Sequence, residues 1–459
     1  MSLKKPLIKD LLGQNRFRFR ILNEDFDASK LIGLPENELA RMHPADLAEK
    51  FEQLQTSEQI NLLKILPEHY AGLVLSRLQE ENILPVTRRM EAEHLSRILS
   101  TMPADEAADI LGEFQEDRVD RILAFLDEGL RNETIELLSH EKDSAGGVMG
   151  KELVDFYSDL SVSQALEILR SKFDVSDFLT YLYVTNENQE LIGVVTLKRL
   201  ILSAPDVILE EIMLKDVVRV YLEEDQEKIA FLATKYNLQA IPVVNRSEQL
   251  VGIVAPDDIS EIIEDEHEED IYRMAGLHEE GGMQQNPLRA ALIRFPWLIA
   301  TVGGGLIAAQ IIEWNQRIDF LWLLAFSPLI LGLAGNVAIQ TSTVIIRNLS
   351  IHQFSSGPSP TGLFREVQIG GILAVLCGFT LAILITIMQG NGTKGITLGL
   401  SLTAVIILSN ICSVLIPLGF NRFQIDPAIA SGPLVTTFID VCGLLVYFQC
   451  AYWLLKWLG

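Results

Sequence analysis

Asp440 stands in Pro433-Leu-Val-Thr-Thr-Phe-Ile-Asp440-Val-Cys-Gly-Leu-Leu-Val-Tyr-Phe448, an otherwise uncharged stretch whose next charge is Lys456. A carboxylate at membrane depth costs about 3 kcal/mol on insertion scales, so it persists where it faces protein, water or a cation. Its chemistry is that of a hard oxygen ligand. The competing reading is a protonated acid hydrogen-bonded inside a helix bundle. A second candidate is the run Asp257, Asp258, Glu261, Glu264, Asp265, Glu266, Glu268, Glu269 and Asp270, nine acids in fourteen residues. A charge run is ordinarily a solvated face. At this density, however, neighbours at i, i+3 and i+4 repel one another, and close packing calls for cations. Asn336 and Gln340, at i, i+4, share a helix face and suit hydrogen bonding across helices. Asp426-Pro427 reads as an N-cap followed by a first-turn proline.

These residues need elements to hold them, and the composition is split rather than blended. From Arg289 onward 8 Lys and Arg face 5 acids, a balance of +3, so a chain of net charge −24 carries −27 in residues 1–288. That sign excludes nucleic acid as a partner and favours cations. All four cysteines (Cys377, Cys412, Cys442, Cys450) lie in the apolar part, and the polar part has no CxxC pair. This suits a reducing compartment. MSLKKPLIKDLLGQ has no apolar core before a small-residue cleavage site, so the first 288 residues are expected in the cytoplasm.

Residues 1–34 read as an N-terminal extension. Over 35–142 the apolar positions recur at three and four residues, as in Leu47, Phe51 and Leu54, which predicts short helices. Pro44-Ala-Asp46 leading to Gln55 returns as Pro103-Ala-Asp105 leading to Gln115, a weak repeat in an all-α superhelical domain. Residues 143–262 repeat more clearly. Helix Ser163–Leu169 and strands Tyr181–Thr185 and Leu191–Val195 return as helix Gln226–Thr234 and strands Ala240–Val244 and Leu250–Val254, with a glycine inside each final strand. The acidic run, edged by Ile259, Ile262, Ile263 and Ile271, reads as a connecting helix that leads through a break at Gly281-Gly282 and Pro287; the connector is bounded at 263–288.

Residues 289–459 hold five apolar segments near 291–312, 320–346, 363–389, 396–420 and 427–458, each about 20 residues or longer. With the N-terminus inside, Arg289, Arg294, Arg347, Arg365 and Arg422 are cytoplasmic against Arg317, Lys394 and Lys456 outside, which follows the positive-inside rule. Gly303-Gly-Gly305, Gly332, Gly335 and Gly370-Gly371 are expected to admit close helix packing. Gly432-Pro433 is expected to loosen the helix below Asp440 and free carbonyls toward a water-filled path.

The two βα copies resemble a tandem pair of cystathionine-β-synthase (CBS) domains, most clearly in Ile241-Pro-Val-Val-Asn245 and Leu250-Val-Gly-Ile-Val-Ala-Pro-Asp-Asp258. The order of parts as a whole resembles the MgtE family of magnesium channels. The resemblance is carried by Ser327-Pro-Leu-Ile-Leu-Gly-Leu-Ala-Gly-Asn336-Val-Ala-Ile-Gln340, by Asp426–Asp440 and by Asp143-Ser-Ala-Gly-Gly-Val-Met149. It implies a homodimer in a bacterial inner membrane, N-terminus cytoplasmic and C-terminus outside, with a pore on the two-fold axis. It also implies that Asp440 holds hydrated Mg²⁺, that Asp426 lies near the cytoplasmic mouth, and that cytoplasmic Mg²⁺ between acidic domains shuts the pore with the acidic helix as a plug. The match points to Asp258, Glu261, Glu266, Glu269 and Asp270 as sensor ligands, with Asp105 and Asp109 as their partners from the helical domain. Mg²⁺ gives up water reluctantly and is usually held by one or two carboxylates and retained water, which one Asp per protomer supplies.

CBS pairs often bind adenine nucleotides through a strand ending in Ser or Thr with Asp three residues later. Here Thr196-Leu-Lys-Arg199 lacks the Asp and Ala255-Pro-Asp-Asp258 lacks the hydroxyl, which argues against ATP binding. The sequence also departs from the family at Leu333-Ala-Gly-Asn336, where two glycines are common, and at Gly432, where some members carry an amide. No phosphate-binding loop or Ser-His-Asp constellation is present, so no enzyme is expected, and His43, His69, His94 and His140 are scattered. The expected function is a Mg²⁺-gated channel importing Mg²⁺ down its electrochemical gradient. The alternatives are an ion-coupled carrier or exporter of divalent metal such as Mg²⁺ or Co²⁺, and a non-conducting membrane Mg²⁺ sensor.

Overall fold

The computed structural model describes residues 42–78, 80–151, 154–172, 180–277, 287–315, 321–352, 359–423, 425–430 and 432–458. The extension at 1–34, the Gly281-Gly282 break, Arg317 and Asp319 lie outside the described residues. The chain divides into two compact units, 1–263 and 264–459.

The first unit opens with short helices: α1 (Pro44–Glu52), α2 (Thr56–Ile65), α3 (Glu68–Leu75), α4 (Glu80–Thr87), α5 (Ala92–Leu99), α6 (Ala104–Gly112), α7 (Glu116–Leu123) and α8 (Glu128–Leu138). Their starts are written locally. Pro44 opens α1, Pro103 precedes α6, and Gln55 and Gln115 are N-caps of α2 and α7. At Gln55 the cap is reciprocal, with Glu58 Oε2 accepting from the Gln55 amide at 3.0 Å. One core that includes Leu47, Phe51, Leu62, Leu75, Leu95, Leu99 and Leu111 runs through these helices.

Two three-stranded sheets follow. The first joins β1 (Asp155–Tyr157), β2 (Tyr181–Thr185) and β3 (Leu191–Thr196) with α9 (Val162–Lys172), α10 (Leu197–Leu202) and α11 (Leu209–Ile212). The second joins β4 (Val220–Tyr221), β5 (Ile241–Val244) and β6 (Leu250–Val254) with α12 (Gln226–Tyr236). In both, the first pair is parallel and the second antiparallel.

The two copies cross. Gly150, which precedes the first copy, exchanges hydrogen bonds with Ile253 of the second at 2.8 and 3.0 Å. Leu214, which precedes the second, exchanges them with Val194 of the first at 2.9 and 3.0 Å. The strand glycines explain the fit. A Cβ on Gly252 would stand 2.4 Å from Met149 Sδ, and one on Gly193 would stand 2.3 Å from Met213 Sδ. The acidic run folds as α13 (Pro256–Met274), one helix that passes through the sequence boundary at 262.

Among its described residues the second unit holds five helices long and apolar enough to cross a membrane. They lie in α14 (Pro287–Trp314), α16 (Ser327–His352), α17 (Pro360–Gln389), α18 (Gly392–Arg422) and α19 (Pro433–Leu458); α15 (Leu321–Leu324) is a short preceding turn. Two expected segments are therefore broken near their starts. The one from 320 restarts at Ser327-Pro328, and the one from 427 is a 3-10 turn (Pro427–Ala430) before α19. Gly432 takes φ 54°, which a continuous helix forbids, and Pro433 then opens α19.

α18 packs on α16, α17 and α19, while α14 packs on α19. Ser409 Oγ donates to the Ala334 carbonyl at 2.7 Å and Asn410 Nδ2 to Thr341 Oγ1 at 3.0 Å, fastening α18 to α16. Gly304 and Gly370 do admit neighbours, with Thr437 and Asn410 against them. At Gly303, Gly305, Gly332, Gly335 and Gly371 no neighbouring heavy atom among the described residues lies within 4 Å of a Cβ position, so the expected close packing is not seen there. Gly303, Gly305 and Gly332 are exposed, and Gly335 and Gly371 half-buried.

Candidate cation sites

In the membrane unit, Asp440 sits two turns into α19 and is half-buried. Among the described residues no hydrogen bond or ion pair reaches it. The bonded, protonated acid of the alternative reading has no hydrogen-bond partner among the described residues. Asn336 and Gln340 are exposed on α16, one turn apart, with exposed Gly332 one turn before Asn336. They too have no hydrogen bond among the described residues. Two amides, a carboxylate and a bare glycine surface are faces that lipid tails do not solvate.

Asp426 is engaged. Its Oδ1 accepts from the Ala428 amide at 2.7 Å, capping the 3-10 turn, and its Oδ2 accepts from Arg273 Nη1. Arg273 also pairs with Glu269, one turn back on α13. The carbonyls freed by the break at Gly432 are partly reclaimed, since Gly432 O accepts both the amide and the hydroxyl of Thr436, at 3.1 and 3.0 Å.

In the first unit the sequence candidates separate. Asp258 caps its own helix, accepting from the Ala255 amide at 3.0 Å. Burial, then repulsion from Asp105 and Asp257, pushes its carboxyl up to about 8. Asp105, in the first turn of α6, lies against Gly150, whose Cβ would stand 3.0 Å from Asp105 Oδ2. Burial also raises Asp105, with Asp257 adding to the effect. Glu106 joins them: burial raises it first, Asp105 and Asp257 further, and its Oε2 is buried without a hydrogen bond.

The structure thus brings Asp105 and Asp258 together with Glu106 and Asp257, while Asp109 and Glu261 are exposed. Glu266 and Asp270 are half-buried further along α13, and Glu269 is committed to Arg273. Among the described residues no three acidic, histidine or cysteine side chains converge in ligating geometry. What remains is a half-buried like-charge cluster, edged by exposed Asp257, whose mutual repulsion a cation would relieve. Such a cluster fits a hydrated hard ion held by one or two carboxylates better than a dehydrating cage.

Sequence reasoning missed Glu106 and Arg273. Glu106 sits beside Asp105 in the same first turn, an unread signal. Arg273 is the one base in the last turn of an otherwise acidic helix, favoured there by the helix dipole.

Comparison with known proteins gives the same order of parts. The family profile described as "MgtE intracellular N domain" matches residues 42–143, that of the CBS domain matches 145–205 and 209–265, and that of MgtE, "divalent cation transporter", matches 327–450. The chain is 30% identical over 88% of its length to a magnesium transporter MgtE of Bacillus subtilis, covering 93% of that protein. It is 31% identical over 91% of its length to a magnesium transporter MgtE of Thermus thermophilus, covering 94%. About half of the chain is similar to a crystal structure of the cytosolic domain of the Mg²⁺ channel MgtE in complex with ATP, at 32% identity and TM-score 0.46, covering 49% of this chain and 92% of that one.

Proposed function

This chain belongs to the MgtE family of divalent cation transporters, and we propose that it is a homodimeric, Mg²⁺-gated channel that carries Mg²⁺ into the bacterial cytoplasm. The observation that carries this reading is Asp440, a half-buried carboxylate in a membrane-spanning helix with no partner among the described residues. A two-fold axis beside it would pair it with its copy and cover the Gly332, Asn336 and Gln340 face. Magnesium is the named cargo of the relatives above, and two carboxylates acting through retained water suit it. An inward-negative potential of 100 mV adds about 4.6 kcal/mol per divalent ion, twice the single-charge value, so no energy source need be built in.

Gating is assigned to the acidic cluster of the first unit, which lies on the cytoplasmic side in this reading. At high internal Mg²⁺ the ion bridges Asp105 and Asp258 and steadies α13, whose further acids Glu261, Glu266, Glu269 and Asp270, with Asp109, gather additional hydrated ions. At low Mg²⁺ the carboxylates repel and the closed form loses its advantage. The ion can close the pore only by binding that form better.

The deciding experiment is Mg²⁺ uptake into liposomes with internal Mg²⁺ varied, for wild type and Asp440→Ala. Uptake that is lost in the variant and falls as internal Mg²⁺ rises in the wild type supports the reading. Uptake retained by a folded Asp440→Ala overturns it, and dependence on a Na⁺ or H⁺ gradient assigns a coupled carrier instead.

A further inference from the structure

Arg273 bridges two carboxylates that sit on different elements of the membrane unit. One is Glu269 on its own helix; the other is Asp426, on the segment that leads into α19. Two glycine contacts, set up by the way α13 ends, join the same two elements. The end of α13 is a Schellman stop: the Leu277 amide donates to the Tyr272 carbonyl at 2.8 Å, and Gly276 takes φ 72°. A Cβ on Gly276 would stand 3.0 Å from Pro433 Cγ, the first residue of α19. A Cβ on Gly432 would stand 2.5 Å from the Met274 carbonyl oxygen. Both glycines hold left-handed backbone, so neither can be exchanged for a bulkier residue without parting the contact.

We infer that Arg273 is a built-in cation that occupies Asp426 and fastens the end of the acidic helix to the start of the Asp440 helix, so that a permeating cation gains Asp426 only when Arg273 leaves it. The charge arithmetic favours the pair. Asp426 and Glu269 are both partly shielded from solvent, and Arg273 is the cation both of them contact. A guanidinium forks two ways and serves both carboxylates at once, where a lysine ammonium acts as a point charge. Removing Arg273 leaves two acids facing each other's helix with no cation between them. In a transporter this is the state in which a divalent ion is attracted to Asp426. A permanent fixture would lock α13 to α19, while a fixture made of one exchangeable ion pair and two glycine contacts can open.

The inference rests on the reading of Asp440 as a pore residue only for its consequence in transport; the fastening itself is testable without it. The measurement is hydrogen–deuterium exchange of the full-length protein over residues 268–277 and 426–436, with Arg273→Gln, Asp426→Asn and the double variant. Asparagine keeps the side-chain oxygen that caps Ala428, so Asp426→Asn removes charge and spares the turn. Each single variant is expected to speed exchange in both segments about tenfold, and the double variant no further, because both remove one pair. In the same liposomes, Arg273→Gln is expected to raise Mg²⁺ flux at inhibiting internal Mg²⁺ several-fold, with Arg273→Lys in between. Exchange unchanged in both single variants, or effects that simply add, would overturn the fastening. Faster exchange with wild-type flux would overturn the competition at Asp426. Loss of the Asp440 reading would show separately, as uptake surviving in Asp440→Ala, and would leave the exchange result standing.

Discussion

Asp105 opposes the ionisation of Asp258 more than any other charge does, although the two lie 153 residues apart on a helical domain and a CBS copy. Burial is the first cause of the shift at Asp258, and the charge of Asp105 raises it further. The seam between α6 and the second CBS copy thus joins an apolar core, in which Ala104 and Ala108 lie with Met149 and Ile259, to acids that disfavour one another's charge.

The pH dependence follows from the direction of that shift. A carboxyl raised to about 8 in the folded chain binds its proton more tightly there than when unfolded. The stability it contributes is complete below the ordinary carboxylate range and is lost as pH rises through about 8. In divalent-free buffer, exchange over 104–109 and 255–260 is expected to accelerate between about pH 4 and pH 8 beyond the intrinsic base-catalysed rate. Millimolar Mg²⁺ is expected to remove most of the acceleration. Asp258→Asn keeps the cap on Ala255 and should flatten the profile; a profile identical to wild type would refute the charge coupling.

Neutralising Asp258, Glu266, Glu269 and Asp270 together to their amides is expected to shift the internal Mg²⁺ needed for half-inhibition upward by at least tenfold in liposome flux. The carboxylate-free variant should still conduct, because none of the four belongs to the proposed pore. Unaltered inhibition would remove these acids from gating.

Asn336→Leu and Gln340→Leu separate a lipid-facing helix surface from a polar one. On a face turned to lipid, leucine is neutral or stabilising, by roughly the cost of exposing an amide to hydrocarbon. On a face turned to a water-filled path or to a second protomer, each is expected to cut Mg²⁺ flux about tenfold while the detergent-solubilised protein stays folded. Flux measurement beside size-exclusion chromatography reads both.

Helix crossing gives a contrast within one pair of elements. On α18, a Cβ at Gly399 would stand 2.4 Å from the Gly378 carbonyl of α17, whereas Gly371 faces open space. Gly399→Val is expected to cost about 1–3 kcal/mol or more by overpacking, and Gly371→Ala less than about 0.5 kcal/mol in a single protomer. Thermal unfolding in detergent would show the ordering. A large effect at Gly371 would instead reveal a neighbour from another protomer.

Much of this architecture was legible because each level of it leaves a periodic trace. Three-and-four spacing gave the short helices, the duplicated strand with its glycine gave the CBS pair, and uninterrupted apolar length gave the five spans. What stayed hidden depends on which distant residues meet. Met149 and Gly252 are about a hundred residues apart, and nothing in either stretch names the other. Arg273 was obscured by its surroundings, because a single base among nine acids vanishes in a count of charge although it is conspicuous as a contact. The packing role assigned to Gly332 and Gly335 came from composition alone, and neither has a described neighbour within 4 Å of a Cβ position. Asp440 was legible from the start, since its isolation in the sequence is also its isolation in the fold.

The crossing of the CBS copies has a consequence for how such a chain is inherited and engineered. Each sheet is finished by a segment that precedes the other copy, Gly150 on one side and Leu214 on the other. A cut between them does not yield two modules; it yields two sheets each missing an edge, with a methionine pocket emptied beside each strand glycine. The duplication visible along the sequence is thus a record of origin and no longer a line of separation, and any chimera that exchanges this region must carry residues 144–254 across as one piece.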